Sequence, residues 1–235
     1  MYRAVSKLLD LLYPRRCPAC HKILRDQKRQ ICPECAGVFH PVTEHYCLKC
    51  GMPVKAEEEY CRICGKRERA FDQGRSVFLY SGKLRQSLVR YKYHGAREYG
   101  AYYAAAICHY RKRELQRWKP DVIVPIPLSR RKERLRGFNQ AGLLADEVGK
   151  RTGIPVSHAI LTKVRDTASQ KKLDAAGRRQ NLKNAFQAAC SMKGARVLLI
   201  DDVYTTGSTL EEAAACLKAA GAEKVYFLTV CSGQV

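Results

Sequence analysis

Residues 196–210 constrain the fold of this chain more than any other part of its sequence. A run of four apolar residues, 197–200, ends in two adjacent carboxylates, Asp201 and Asp202. Small hydroxyl residues around one glycine follow, and an alanine-rich helical segment begins directly afterwards. The order is therefore buried strand, acidic tip, small-residue loop and helix N-terminus. In a parallel sheet such a loop lies at the carboxyl end of the strand, where α/β folds bind ligands.

The loop itself is suited to hold a phosphate group. Gly207 and small side chains let backbone N–H groups point at an anion, and the positive end of the helix dipole faces the same point. Asp201 and Asp202 would repel a phosphate, but they suit sugar hydroxyls or a magnesium ion. A ribose 5-phosphate satisfies both halves of the segment. The hydroxyls available to it are those of Thr205, Thr206, Ser208 and Thr209.

Residues 197–210 also match a known loop. The lysine of a Walker A loop and the glycine spacing of a dinucleotide fingerprint are both missing. A plain turn in which Ser208 only caps the helix is the alternative, but such turns rarely combine four hydroxyls with two carboxylates. The segment resembles the phosphoribosyl-pyrophosphate (PRPP) loop of type I phosphoribosyltransferases at nearly every position. The resemblance implies that catalytic Asp201 and Asp202 hold the ribose, that residues 205–209 hold the 5-phosphate, and that Mg²⁺ accompanies PRPP.

The N-terminal part of the chain carries eight of the twelve cysteines, arranged as four C-x2-C pairs. The first thirteen residues are amphipathic, are interrupted by Lys7 and Asp10, and lack a small-residue cleavage site. We therefore expect no signal peptide, reduced thiols, and a helix that packs on the body or on a partner. Paired cysteines at this spacing are typical of zinc sites. The predicted ligands are Cys17, Cys20, Cys32, Cys35, Cys47, Cys50, Cys61 and Cys64.

Eight thiolates make two tetrahedral zinc sites, and two pairing patterns are open. Sequential pairing gives two ribbons of similar length, and the similar gaps within the two units favour it. An interleaved cross-brace is the alternative. A segment this short has little core of its own, so the sequence predicts a structural role for both zinc ions.

The formal net charge of +21 is large for 235 residues. The excess is densest in the middle of the chain, in residues 111–113 and 130–136. Such a field attracts polyanions, from pyrophosphate to nucleic acid, although a merely solubilising surface is the alternative. Interleaved rings and cations suit single-stranded DNA, because the rings stack on bases while the cations contact phosphates. The alternative is that tyrosines at helical spacing pack in the core. These residues are Tyr91, Lys92, Tyr93, Arg97, Tyr99, Tyr102 and Tyr103.

Alternating strand and helix patterns predict a type I phosphoribosyltransferase-like α/β fold with a mostly parallel sheet flanked by helices. We expect two domains: residues 1–70, with an N-terminal helix and a double zinc ribbon, and residues 71–235, the phosphoribosyltransferase-like domain. No apolar run reaches 18 residues, so we expect no membrane span. The predicted strands are 75–80, 121–127, 155–164, 196–201 and 224–230, and the predicted helices are 84–93, 98–116, 138–151 and 208–220.

Two further loops carry site predictions. Residues 125–132 leave the carboxyl end of a strand and are rich in cations. In type I phosphoribosyltransferases the corresponding loop holds pyrophosphate, which here implies Ser129, Arg130 and Lys132; a basic surface turn is the alternative. Residues 165–172 are long and hydrophilic, and their position resembles the mobile hood that covers the active site of that family.

The full set of motifs is similar to the ComF family over essentially the whole chain. It comprises the cysteine pairs, residues 91–95 (YKYHG), 124–128 (VPIPL) and 136–140 (RGFNQ), then Gln170, Arg178 and Asn181, and finally the PRPP loop. Members of that family are associated with DNA uptake during natural transformation. The resemblance therefore implies a cytoplasmic protein that receives single-stranded DNA, with the DNA-uptake translocase machinery as a partner.

Two functions follow from these observations. In the first, the chain binds PRPP or a related ribose phosphate and serves DNA uptake by binding single-stranded DNA. In the second, it is an active phosphoribosyltransferase that transfers ribose 5-phosphate from PRPP to an acceptor. The sequence shows no base-specificity segment after the last strand, which weakens the second interpretation. A regulator that senses PRPP is a further alternative, but no helix-turn-helix pattern is evident.

Overall fold

A four-stranded parallel sheet forms the centre of the molecule. The computed structural model describes residues 14–164 and 185–233. The sheet comprises β1 (Gln73–Leu79), β2 (Val122–Pro125), β5 (Arg196–Tyr204) and β6 (Lys224–Ser232), in the spatial order β1-β6-β5-β2. Two short strands, β3 (Leu161–Lys163) and β4 (Phe186–Ala188), pair antiparallel in a separate ladder. The predicted α/β class with a mostly parallel sheet is confirmed.

Helices cover both faces of this sheet, as expected for parallel strands. No helix among the described residues is long and apolar enough to cross a membrane. The helices are α1 (Gly82–Tyr93), α2 (Tyr99–Tyr110), α3 (Lys112–Trp118), α4 (Arg130–Arg136), α5 (Gln140–Thr152) and α6 (Ser208–Ala219).

Strand β5 divides the core in two because its side chains alternate between the faces of the sheet. Leu198 and Ile200 pack with α1, α2 and α5 in one buried cluster. Val197 and Leu199 pack with α6 and the β3–β4 ladder in the other. All four side chains are fully buried. The continuous apolar run at 197–200 therefore forms a strand that is covered on both faces.

The cysteine-rich segment lies along the outer edge of β1. Pro41 pairs antiparallel with Phe78, and the Gly74 amide donates to the Lys49 carbonyl at 2.8 Å. These contacts cover an edge that would otherwise present unpaired backbone groups. The domain boundary at residue 70 stays a prediction from the sequence.

The predicted helix 98–116 is wrong as a single element, because Arg111 interrupts it with φ −116° and ψ 21°. The Arg111 side chain is buried and donates from Nη2 to the carbonyls of Ser76 and Val42, each at 2.6 Å. Burial lowers the pKa of this guanidinium. The break turns the arginine toward β1, where it joins the strand to the segment between the two ribbons.

Other elements differ in extent from the sequence predictions. The predicted strand 155–164 reduces to the bridge between Val156 and Ile123 and to β3. Strand β5 runs past Asp201 to Tyr204, and α4 forms where a loop was expected. The N-terminal helix, the hood at 165–172, Gln170, Arg178 and Asn181 lie outside the described residues.

Candidate functional site

The acidic pair lies near the carboxyl end of β5, in the last part of the strand. Asp202 is buried, and its Oδ2 forms an ion pair with Lys92 Nζ on α1. Asp201 is half-buried, and its Oδ1 accepts a hydrogen bond from the Asp202 amide at 2.8 Å. Because adjacent strand residues point to opposite faces, the two carboxylates have different surroundings.

Burial raises the pKa of Asp201 to about 6, and the charges of Lys92, Lys163 and Arg136 act in the opposite direction. These three cations come from α1, β3 and the end of α4. Their charges all favour the ionised form of one carboxylate. A carboxylate whose pKa is perturbed by burial and by specific charged groups is typical of a functional site. The sequence pointed to Asp201, but only the fold brings these cations to it.

The loop after β5 has the geometry expected of an anion site. Gly207 has φ +75° and is the N-cap residue of α6. Glycine has no side chain that could occupy the first-turn N–H groups, and the helix dipole adds a positive potential there. Thr206 and Ser208 are buried, with their hydroxyl oxygens 2.9 Å apart. Thr205 is exposed and Thr209 half-buried.

The second predicted loop lies beside a cavity of about 640 Å³. Ser129, which is buried, and exposed Arg130 line it, together with Lys163 from β3. The charge of Lys163 also favours the ionised form of Asp201. Lys132 lies on the same short helix, α4, but not among the lining residues.

Residues 136–140 contact α1, the loop after β2 and α5. Arg136 donates from Nη1 to Gln140 Oε1 at 2.8 Å and from Nη2 to the Tyr93 hydroxyl at 3.0 Å. Its guanidinium also lies over the Tyr93 ring, 4.8 Å from the centroid. Asn139 donates to the Ile126 carbonyl at 3.1 Å and caps α5 through the Ala141 amide. This motif is therefore a joint between α1, the loop after β2 and α5.

Most of the tyrosines proposed as stacking rings lie in the core. Tyr91, Tyr99 and Tyr103 are at most 1% exposed. Tyr91 donates to the Gln140 carbonyl at 2.8 Å, so it supports the joint described above. Tyr93 is 53% exposed. The packing alternative is therefore correct for the three buried rings.

The cysteines form two clusters, and the predicted sequential pairing is confirmed while the interleaved alternative is wrong. The ligand atoms of each cluster lie within 4.8 Å of one another. Two measured Sγ–Sγ distances are 3.6 Å for Cys17–Cys32 and 3.7 Å for Cys50–Cys61. Thiolates on tetrahedral zinc, at about 2.3 Å from the metal, are about 3.8 Å apart. Both donor sets therefore fit zinc.

Comparisons with known proteins agree with this architecture. Residues 8–65 match the model of the double zinc ribbon domain, and residues 101–234 match that of the phosphoribosyl transferase domain. Competence protein F of Haemophilus influenzae is 33% identical, over 89% of this chain and 93% of its own. DNA utilization protein YhgH of Salmonella typhimurium is 31% identical, over 94% and 98%.

A third relative, competence protein ComFC of Bacillus subtilis, is 34% identical over 80% of this chain and 78% of its own. Among solved structures, a purine phosphoribosyltransferase from Pyrococcus horikoshii is 19% identical and covers 57% of this chain and 87% of that one. Its TM-score of 0.35 is too low to support an argument. The sequence relatives and the two domain matches decide the assignment: this chain belongs to the ComF family, in which a double zinc ribbon precedes a phosphoribosyl transferase domain.

Proposed function

We propose that this protein binds PRPP, or a related ribose phosphate, with Mg²⁺, and that it acts in DNA uptake by binding single-stranded DNA. One observation carries the first half. The Asp201–Asp202 pair and the N-terminus of α6 lie at the same end of a parallel sheet. This is the end where α/β folds bind ligands. A ribose 5-phosphate presents hydroxyls to the carboxylates and an anion to the helix N-terminus.

Each part of the ligand has suitable partners in this arrangement. Carboxylates accept hydrogen bonds from ribose hydroxyls, and oxygen ligands suit the Mg²⁺ that accompanies PRPP. The loop at 205–209 supplies amides and hydroxyls for the 5-phosphate. Ser129, Arg130 and Lys132 supply donors for pyrophosphate. In this proposal Lys92, Lys163 and Arg136 keep Asp201 ionised near neutral pH despite its burial.

A thermal shift with Mg²⁺ and PRPP tests the ligand. We expect the midpoint of unfolding to rise in the wild type, since a ligand that binds only the folded state stabilises it. Asp201→Asn/Asp202→Asn should abolish the rise. Glu57→Gln/Glu58→Gln removes two adjacent exposed charges far from the site and is the matched control. An equal rise in both double variants would exclude the acidic pair as the binding site.

Turnover is the alternative function, and the cavity beside Ser129 and Lys163 favours it, since an acceptor needs a space next to the pyrophosphate loop. The protein would then act mostly by positioning PRPP and by stabilising the departing pyrophosphate. Pyrophosphate release, measured across a panel of bases, distinguishes the two functions. A ligand-induced thermal shift without pyrophosphate release supports the binding protein.

Single-stranded DNA needs a surface other than the buried tyrosines. A groove of about 540 Å³ lies between the second cysteine cluster and α3, at the amino end of β1. Exposed Arg113 and Arg117 line it with half-buried Lys49, and 48% of Tyr60 is exposed. Cations beside rings are the combination that binds single strands.

The acidic residues of this groove are already neutralised by cations. Glu114 pairs with Arg75 at 3.6 Å, and Asp72 pairs with Lys218 at 2.8 Å and Lys224 at 3.1 Å. The remaining positive charge supports the proposal that a DNA strand lies there. The names of the relatives, which include two competence proteins and a DNA utilization protein, support a role in DNA uptake. We propose the DNA-uptake translocase machinery as the partner in that role. The thiolates that zinc needs support a reducing compartment, the cytoplasm.

Fluorescence anisotropy of a labelled single strand tests this half of the proposal. Binding should fall steeply between 50 and 200 mM salt, because phosphate contacts release counterions. Lys49→Gln/Arg113→Gln/Arg117→Gln should weaken it further, whereas Lys83→Gln/Arg85→Gln/Lys193→Gln removes the same charge elsewhere and should act less. Equal losses in both triple variants would show a diffuse electrostatic attraction rather than a site in the groove.

A further inference from the structure

A buried arginine, Arg69, lies directly beneath residues 205–209, which we call the ribose-phosphate loop. The side chain of Arg69 is 0% exposed and forms an ion pair with Glu211 of α6, 3.0 Å from Nε to Oε2. Its Nη2 donates to the Tyr204 hydroxyl at 3.1 Å and to the Thr206 carbonyl at 3.3 Å. One guanidinium thus contacts the end of β5, the loop and the first turns of the following helix.

Glu211 also contacts the backbone next to Arg69. Its Oε1 accepts a hydrogen bond from the Ala70 amide at 3.1 Å. Arg69 also lies over the Phe71 ring, 5.0 Å from the centroid. Residues 69–71 are therefore packed against the end of β5 and the start of α6. Loss of either partner of a buried ion pair leaves an uncompensated buried charge, so the Arg69–Glu211 pair is costly to break.

Arg69 holds the peptide group between Thr206 and Gly207, where the loop turns. The Thr206 carbonyl precedes Gly207, whose φ of +75° is the left-handed conformation. A Cβ on Gly207 would lie 2.3 Å from Arg69 Nη2 and 2.5 Å from the Tyr204 hydroxyl, so the loop backbone is packed closely on both groups. Fixing this peptide fixes the direction of the amides that face the 5-phosphate.

The second cysteine cluster lies on the far side of the same contacts. Cys47 and Cys50 are fully buried in the same apolar cluster as Phe71 and Tyr204. Cys64, a ligand of this cluster, is followed after a short segment by Arg69. Zinc at this site would therefore order the apolar cluster in which Tyr204 packs and the start of the segment that carries the arginine.

The first cysteine cluster packs elsewhere. Cys17 and Cys35 lie in the apolar cluster on the opposite face of the sheet, with Phe39 and Tyr99. The residue next to Cys20, His21, shares a hydrogen bond of 2.5 Å with the Tyr99 hydroxyl. The two clusters thus differ in what they support, although their ligand sets are the same.

We propose that Arg69 is a positioning residue for the ribose-phosphate loop, and that it holds the loop in its binding conformation only while the second cysteine cluster carries zinc. The consequence for ligand binding rests on the proposed function, whereas the consequence for the loop does not. Zinc at the first cluster has no such effect. The ribbon segment is then part of the ligand site rather than an appended module.

Hydrogen–deuterium exchange of the zinc-loaded chain tests the loop directly, without PRPP. In Arg69→Gln we expect the amides of 205–210 to exchange about tenfold faster or more, the effect of losing hydrogen bonds to a charged group. Tyr204→Phe keeps the ring packing and should give a smaller increase in the same peptide. Arg62→Gln, an exposed change in the ribbon, is the control. Unchanged exchange at 205–210 in folded Arg69→Gln overturns the proposal, and so does an equal increase throughout the core.

A comparison of the two clusters tests the zinc dependence. Cys61→Ser should lower the zinc content by one ion and speed exchange at 205–210, whereas Cys20→Ser should lower it equally and leave that peptide unchanged. Equal effects of the two variants on the loop would overturn the coupling. Calorimetric titration with Mg²⁺ and PRPP then separates the two proposals. A wild type that does not bind PRPP refutes the proposed function alone, while equal PRPP affinity in wild type and Arg69→Gln refutes the role of Arg69.

Discussion

Lys92, near the end of α1, forms an ion pair with Asp202 of β5, and the carboxylate in this pair is almost entirely buried. The lysine side chain is 21% exposed and the aspartate side chain 6%. The two partners therefore differ in how easily each reaches water once the other is removed. This difference makes the pair testable from both sides.

We expect Lys92→Met to destabilise the protein by about 2 to 3 kcal/mol, because it leaves a buried carboxylate unpaired. Asp202→Asn should cost less, since the freed lysine can extend toward solvent. Urea unfolding at pH 7 measures both. A larger loss for Asp202→Asn would show that Lys92, not Asp202, is the group that depends on the pair.

Asp201 gives a prediction with a defined pH dependence. Its pKa is raised from an ordinary value near 3.8 to about 6, so the folded state binds the proton more tightly than the unfolded state. The stability of the wild type should therefore fall as the pH rises from about 4 to about 6. Asp201→Asn removes the charged form.

The asparagine variant should be more stable than the wild type at pH 7 by about 1 to 2 kcal/mol. Solvent screening keeps this difference below the full free energy of the pKa shift, because Asp201 is partly exposed. The difference should vanish near pH 4. PRPP binding by the wild type should weaken below pH 6, where the carboxylate gains its proton. Urea unfolding at the two pH values gives the answer, and a variant less stable than the wild type at pH 7 contradicts the expected desolvation.

Gly207 and Gly153 form a matched pair of sites. Both have a left-handed φ, +75° and +74°, but a Cβ at Gly153 meets nothing within 4 Å, whereas at Gly207 it meets Arg69 and Tyr204. Gly153→Ala should cost about 1 kcal/mol from backbone strain alone. Gly207→Ala should cost at least about 2 kcal/mol more, since the loop must also move away from both groups. Thermal unfolding compares the stability of the two variants. Equal losses of stability would show that Arg69 and Tyr204 move aside readily.

Removal of metal gives the fourth prediction. We expect two zinc ions per chain by elemental analysis. A strong chelator should lower the unfolding midpoint, because buried thiols such as Cys17 and Cys47 lose the ion that links them. Since each cluster packs into a different core, the loss should extend to both faces of the sheet. One zinc per chain, or an unchanged midpoint after chelation, would contradict two structural sites.

The local elements of the site were predictable because they follow from short-range chemistry. The short apolar run before Asp201 is typical of a buried strand, and the small residues after it allow the turn at Gly207. The cysteine spacing indicated zinc for the same reason, since ligands close in sequence are close in space. The break at Arg111 was not predictable, because the helix there competes with hydrogen bonds to Ser76 and Val42.

The sequence alone thus determined the fold class and the two sets of paired cysteines, and it predicted the acidic pair and the phosphate loop. All of these features are contiguous or regularly spaced. Tertiary structure alone decided which cations surround Asp201, which tyrosines lie in the core, and that Arg69 lies beneath Gly207. These relationships join residues far apart in the chain, and their contacts depend on strand order and on the packing of two cores. No local pattern encodes such distances, so they become visible only when the sheet is assembled.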